Sequence, residues 1–196
     1  MPEKKPEKEK ERLRIPREKK IENLLQFLAH IACSRKEHEP VIESMRGFHS
    51  AVYIAQHFGL FPEGQYQSPA GYVPHVEGLN SDIEYLSGAD PLHMNDGFLV
   101  EITSRGHFAS QRFGKYISQS FREKGGLADL IAKQDDTVLE DLATILIISK
   151  IDGVNVTDPK LIKRVGVYNP SMLENHKRGY KKAIELYQEM KKMVGR

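Results

Sequence analysis

Eight histidines, one cysteine and two carboxylate pairs are the side chains of this sequence with the chemistry for catalysis or metal binding. The histidines stand at positions 30, 38, 49, 57, 75, 93, 107 and 176, with no HExxH, CxxC or clustered His-carboxylate spacing. His30 and Cys33 share a helix face, but no second pair accompanies them, so capping, core and surface roles are expected and a metal is not. Cys33 lies in an apolar helix without an obvious electropositive setting to generate a thiolate, which reads as a buried inert thiol. Gly125-Gly126 follows a helical pattern instead of leading into one, and so reads as a helix end, not as a phosphate loop. Asp135-Asp136 and Glu140-Asp141 lie at a predicted helix start, where capping and the dipole account for them. No catalytic residue and no cofactor is expected, and the chain reads as a non-enzyme.

Recognition is the better-supported chemistry, and its elements cluster between Tyr66 and Phe108. Gly71, Pro74 and Gly78 punctuate a loop, after which Asn80 or Ser81 can cap a helix carrying Ile83 and Leu86 on one face. Asp96-Gly97 sits between two short apolar runs, Pro91 to Asn95 and Phe98 to Ile102, a strong hairpin signal. Thr103 can cap the next helix, with Phe108 inside it. The order loop, short helix, hairpin, helix reads as the winged half of a winged helix-turn-helix.

Around this unit the spacing predicts further helices. Ile21, Leu24, Leu25, Leu28, Ile31 and Ala32 recur at helical period, ending near Ser34. A second helix is expected from Val41 to Phe58, with Met45, Phe48, Val52 and Ala55 buried and Gly59 at its C-terminal cap. The helix opened by Thr103 passes through Phe113, Tyr116, Ile117 and Phe121 and is expected to end at Lys124-Gly125-Gly126, followed by a short helix from Leu127 to Lys133. Thr137 with Glu140 forms a capping-box pattern for a helix to about Ile151, apolar nearly all round from Leu142 to Ile148 and so expected at the centre. Asp158-Pro159 begins a short helix, and Asn169-Pro170 a last one whose polar face carries Lys177, Arg178, Lys181 and Lys182. The expected fold class is mainly α with a small β-hairpin wing, the winged half extended by a C-terminal helical bundle.

Charge divides the chain into three. Residues 1 to 20 hold nine Lys or Arg against five Glu with almost no large aliphatics, a disordered charged tail. Residues 160 to 196 hold ten bases against three acids, while 21 to 159 hold ten bases against 19 acids. The expected organisation is one domain over 21–196, winged-helix-like over about 41–123 and helical over about 127–194. A single cysteine rules out an intrachain disulfide, and no secretory apolar region precedes a cleavage site, so a cytoplasmic location is expected. No apolar run approaches the roughly 20 residues that span a bilayer, and no membrane partner is expected.

The ordered motifs FHSAVYIAQHFGLFP, YQSPAGYVPHVEGLNSDIEYL, DGFLVEITSRGHF and DTVLEDLATILIISK together resemble the SocA-type (Panacea) antitoxin domain family and its uncharacterised YwgA-type relatives. The resemblance covers roughly residues 41 to 192, with Tyr72 standing where that pattern usually has proline. It implies a mainly helical domain with a winged-helix-like half, acting as an antitoxin, a proteolytic adaptor or a regulator, and it carries no catalytic residues.

Charge then separates two partners. The expected recognition helix, Asn80 to Tyr85, has no Lys or Arg, and residues 41 to 116 hold eight acids against four bases, a surface that repels a polyanion. Another protein, toxin-like or regulatory, is therefore the expected partner, with Tyr72, His75, Asn80 and Tyr85 as contact candidates. A DNA-binding regulator is the alternative, using Arg105, Arg112, Lys177, Arg178, Lys181 and Lys182 on phosphates. The acidic body and basic ends also allow two chains to pair as a homodimer.

Overall fold

A computed structural model describes residues 15–34, 44–62, 65–66, 71–88, 92–94, 100–102, 119–168, 170 and 177–195. Helix α1, Arg17–Ser34, starts inside the segment expected as tail, with the Pro16 carbonyl accepting from the Lys19 and Lys20 amides. Proline suits this place because its fixed φ matches the entering turn. Ile21, Leu24, Leu25, Phe27, Leu28 and Ile31 are all buried. Phe27 packs on Phe48 and Phe61, with ring centroids 6.4 and 5.3 Å apart, and Phe61 meets Phe121 at 6.0 Å.

Helix α2, Met45–His57, begins where Ser44 leaves extended backbone and its Oγ accepts from the Gly47 amide at 2.9 Å. The same hydroxyl donates to Asp136 Oδ2 at 2.5 Å. At the far end Gly59 takes φ 75°, and the Lys124 ammonium donates to the Phe58 and Gly59 carbonyls at 3.2 and 3.4 Å. A cation on the last carbonyls complements the negative end of the helix dipole.

Helix α3, Leu79–Gly88, starts one residue before the expected cap, so Asn80 lies within the helix. Helix α4, Gln119–Ala132, is two helical segments meeting at a kink at Lys124, where φ is −122° and ψ 16°, at the place where the sequence expects one helix to end and a short one to follow. Helix α5, Asp136–Asp152, is the central element: Val138 to Ile148 are buried apart from Glu140, and Gly153 closes it in the left-handed region. The capping box is not formed. Asp135 is the cap residue without a side-chain bond, Asp136 turns to Ser44, and Glu140 pairs with Arg46 at 2.8 Å. Burial raises the Glu140 pKa, helped by Asp136 and Asp141 and opposed by Arg46. Helix α6, Lys160–Tyr168, and helix α7, Lys177–Val194, pack on α5, which also carries α2.

The winged-helix class is overturned by this arrangement. Among the described residues the fold is seven helices sharing one core. Strands β1, Leu92–Met94, and β2, Val100–Ile102, make an antiparallel pair with Leu92 opposite Ile102 and Met94 opposite Val100. A wing is not seen: the pair is three residues long, and residues 95–99, with Asp96-Gly97, lie outside the described residues. The buried apolar residues of α1, α2, α4 and α5 belong to one cluster. The expected helix start at Thr103 and its core residues Phe108, Phe113, Tyr116 and Ile117 also lie outside the described residues.

Gly47 of α2 lies against Asp136 at the start of α5. A Cβ there would stand 2.2 Å from Asp136 Cγ. Replacing Gly by Ala in an open helix stabilises by about 1 kcal/mol, whereas overpacking costs about 1–3 kcal/mol. Gly47→Ala is therefore expected to lower the urea midpoint without changing the slope; a raised midpoint would show that the helices do not meet here.

Candidate functional site

The loop 71–78 is held from beneath by a histidine of α2. His49 is buried, and its Nδ1 accepts from the Val76 amide at 2.9 Å. That bond requires a lone pair on Nδ1, so the proton of the neutral ring sits on Nε2, which donates to Asn80 Oδ1 at 2.8 Å. One side chain thus fixes both the loop and the first turn of α3. Pro74 and Val76 are buried beside it, and Gly78 with φ 85° turns the chain into the helix. The exposed His75 ring lies 4.6 Å from that of His49. Burial lowers the His49 pKa and the His75 charge lowers it further, against the opposing bond to Asn80.

Held in this way, the loop presents Tyr72 to α6. Its ring stacks on Tyr168 at a centroid distance of 3.7 Å and an interplanar angle of 18°, and its hydroxyl donates to the Tyr168 hydroxyl at 2.9 Å. The bond to Tyr168 is the main cause that raises the Tyr72 pKa to about 12, with the Asp152 charge adding and the Arg164 charge opposing. Arg164 Nε faces Asp152 Oδ2 at 3.7 Å. Flanking the two rings in sequence, Val73 is 60% and Val167 71% exposed, and Tyr168 itself is 38% exposed. Lys160, Lys163 and Arg164 are exposed on the same short helix. The result is an aromatic and aliphatic platform with a basic margin.

A second cluster surrounds the start of α1. Arg17 Nε lies 3.5 Å from Asp82 Oδ1, its guanidinium donates to the Ser81 carbonyl at 3.3 Å, and it covers the Tyr85 ring at 4.7 Å. The Tyr66 hydroxyl donates to the other Asp82 oxygen at 3.2 Å, and burial, then the Asp82 charge, raise its pKa. An open cavity of about 480 Å³ lies here, lined by Arg17, Lys19, Ile21, Leu25 and Tyr85 among others. Every polar group named at Asp82 is paired within the chain, so the cluster reads as a clasp between α1 and α3.

The four protein-contact candidates therefore separate. Tyr72 and His75 lie together on the loop, Asn80 is exposed with its Oδ1 held by His49, and Tyr85 is under Arg17. Arg105 and Arg112 lie outside the described residues, as do the side chains of Lys177 and Arg178; Lys181 and Lys182 are exposed on α7, Lys181 facing Glu185 at 3.8 Å. Sequence reasoning missed His49, Val167 and Tyr168. Val167 carried a readable signal, because it falls off the stripe that Leu161 and Val165 bury. His49 carried none, since its partners are 27 and 31 residues away. Among the described residues no three His, Cys, Asp or Glu gather as a metal site, and no helix is long and apolar enough to cross a membrane. Comparisons with protein-family models, with curated proteins and with solved structures found no match to this chain.

The His49 brace makes stability depend on pH. Its native pKa is below the unfolded value of 6.5, so the unfolded chain binds more protons between the two values. Stability is full above 6.5 and is lost as pH falls from there to the native value; His57, lowered by burial and by Lys150, acts in the same direction. His49→Gln is expected to flatten the loss of unfolding free energy seen in the parent between about pH 7 and pH 5. Identical pH slopes for parent and variant would contradict the buried neutral imidazole.

Proposed function

We propose that the chain is a non-enzymatic protein-binding module of the antitoxin or adaptor kind, and that it grips its partner through the Tyr72–Tyr168 platform. The carrying observation is that Tyr72, Val73, Val167 and Tyr168 lie in and beside one stacked contact while two of them stay more than half exposed. Apolar patches rimmed by polar residues mark interaction surfaces, and tyrosines supply large contact area at low entropic cost. The basic margin from Lys160, Lys163 and Arg164 selects the partner's chemistry: an apolar or aromatic residue flanked by carboxylates. The resemblance to SocA-type antitoxins supports a regulatory protein as that partner.

Affinity capture from the native host with the full chain tests this. A protein retained by the parent is expected to be lost with Val167→Glu, which puts a carboxylate on the platform, and kept with Lys182→Glu on α7. Hot-spot truncations cost about 2 kcal/mol or more, roughly a thirtyfold loss of affinity. Retention of the same protein by the Val167 variant would remove the platform from the reading. Salt-sensitive duplex-DNA binding abolished by Lys181→Glu would replace protein with DNA as the partner.

A further inference from the structure

The same two rings carry a chemistry that does not depend on any partner. We propose that Tyr72 and Tyr168 are an oxidative cross-linking site, coupled to an intrachain dityrosine by hydrogen peroxide acting through a haem peroxidase. Among the described residues they are the one tyrosine pair in ring contact. Tyr66 is buried against Phe61 and Asp82, Tyr187 packs on Phe58, and Tyr85 lies under Arg17. Both platform rings reach solvent, so a one-electron oxidant can reach them.

Loss of one electron and one proton from each phenol gives two phenoxyl radicals, whose spin is shared between oxygen and the ring carbons ortho to it. Radicals of this type couple through overlap of their π faces. At a 3.7 Å centroid separation, an 18° interplanar angle and hydroxyls 2.9 Å apart, the rings are stacked face to face with their hydroxyl ends together. A carbon–carbon bond forms between them, and the two ring hydrogens at that bond move to the oxygens, restoring both phenols. The two electrons and two protons released reduce one hydrogen peroxide to two waters. The new bond ties loop 71–78 to the last turn of α6, converting a stacking contact into a covalent staple.

Dilute full-length protein treated with peroxidase and limiting peroxide tests this. The blue dityrosine emission is expected in the monomer band. The tryptic peptides 47–105 and 165–177 should appear joined, at a mass two hydrogens below their sum, with fragmentation placing the link at Tyr72. Tyr72→Phe and Tyr168→Phe keep the ring and are each expected to lose the monomer emission, while Tyr85→Phe, at a 54% exposed position, keeps it. Emission confined to the dimer band, a link at another tyrosine of peptide 47–105, or monomer emission that survives Tyr72→Phe would overturn the proposal. Mapping of the parent protein alone decides the second of these, so the result stands even if a variant folds poorly.

Discussion

The closeness with which α2 lies on α5 is the constraint from which the rest of the molecule follows. Gly47 contributes no side chain to this contact, and the Asp136 carboxylate occupies the space a Cβ would take. Ser44 completes the junction by accepting from Gly47 and donating to Asp136, so one hydroxyl caps α2 and ties it to the first turn of α5. The carboxylate then stands near the positive ends of two helix dipoles, where a negative charge is favoured. Alongside, α5 buries Leu142, Ile145, Leu146 and Ile148, each worth about 1.5–3 kcal/mol when fully removed from water. A helix apolar on every side must be covered on every side, and α2, α6 and α7 do so.

From that junction the position of the candidate surface is inherited. His49 stands two residues beyond Gly47 on the same helix, and its two ring nitrogens hold Val76 and Asn80. A buried imidazole with both nitrogens engaged behaves as a bolt: neutral, it satisfies a donor and an acceptor at once, and protonated it would set two donors against each other at Val76. Tyr72 is placed by this loop and Tyr168 by α6, which itself rests on α5. Both halves of the platform thus trace to the same central helix, one through α2 and one directly.

Much of the helical frame was legible because it rests on periodicity and local signals. The run Leu142 to Ile148 announces a central helix, Gly59 and Gly153 stand at helix ends with positive φ, and the stripe of α1 is buried as its spacing requires. What was not legible depends on contacts distant in sequence. The Thr137 to Glu140 pattern looks like a local cap, yet Asp136 and Glu140 are drawn to Ser44 and Arg46 on another helix. The helix break at Lys124 was readable from Lys124-Gly125-Gly126, but not that the Lys124 ammonium caps α2, 66 residues away in the chain. Asp-Gly between apolar runs suggested a wing, and the winged class failed because α2 and α4 belong to the shared helical core. For the site, Tyr72 and His75 stood out in the loop, whereas the ring that meets Tyr72 lies 96 residues further on.

The central claim is that the platform built by loop 71–78 and α6 is the face that takes a partner protein. Amide hydrogen exchange on the full chain, alone and with the protein it captures from its host, tests it most directly. The expected result is added protection over 71–80 and 160–168 with α7 unchanged; protection confined to 177–194, leaving the loop and α6 as they were, would contradict it.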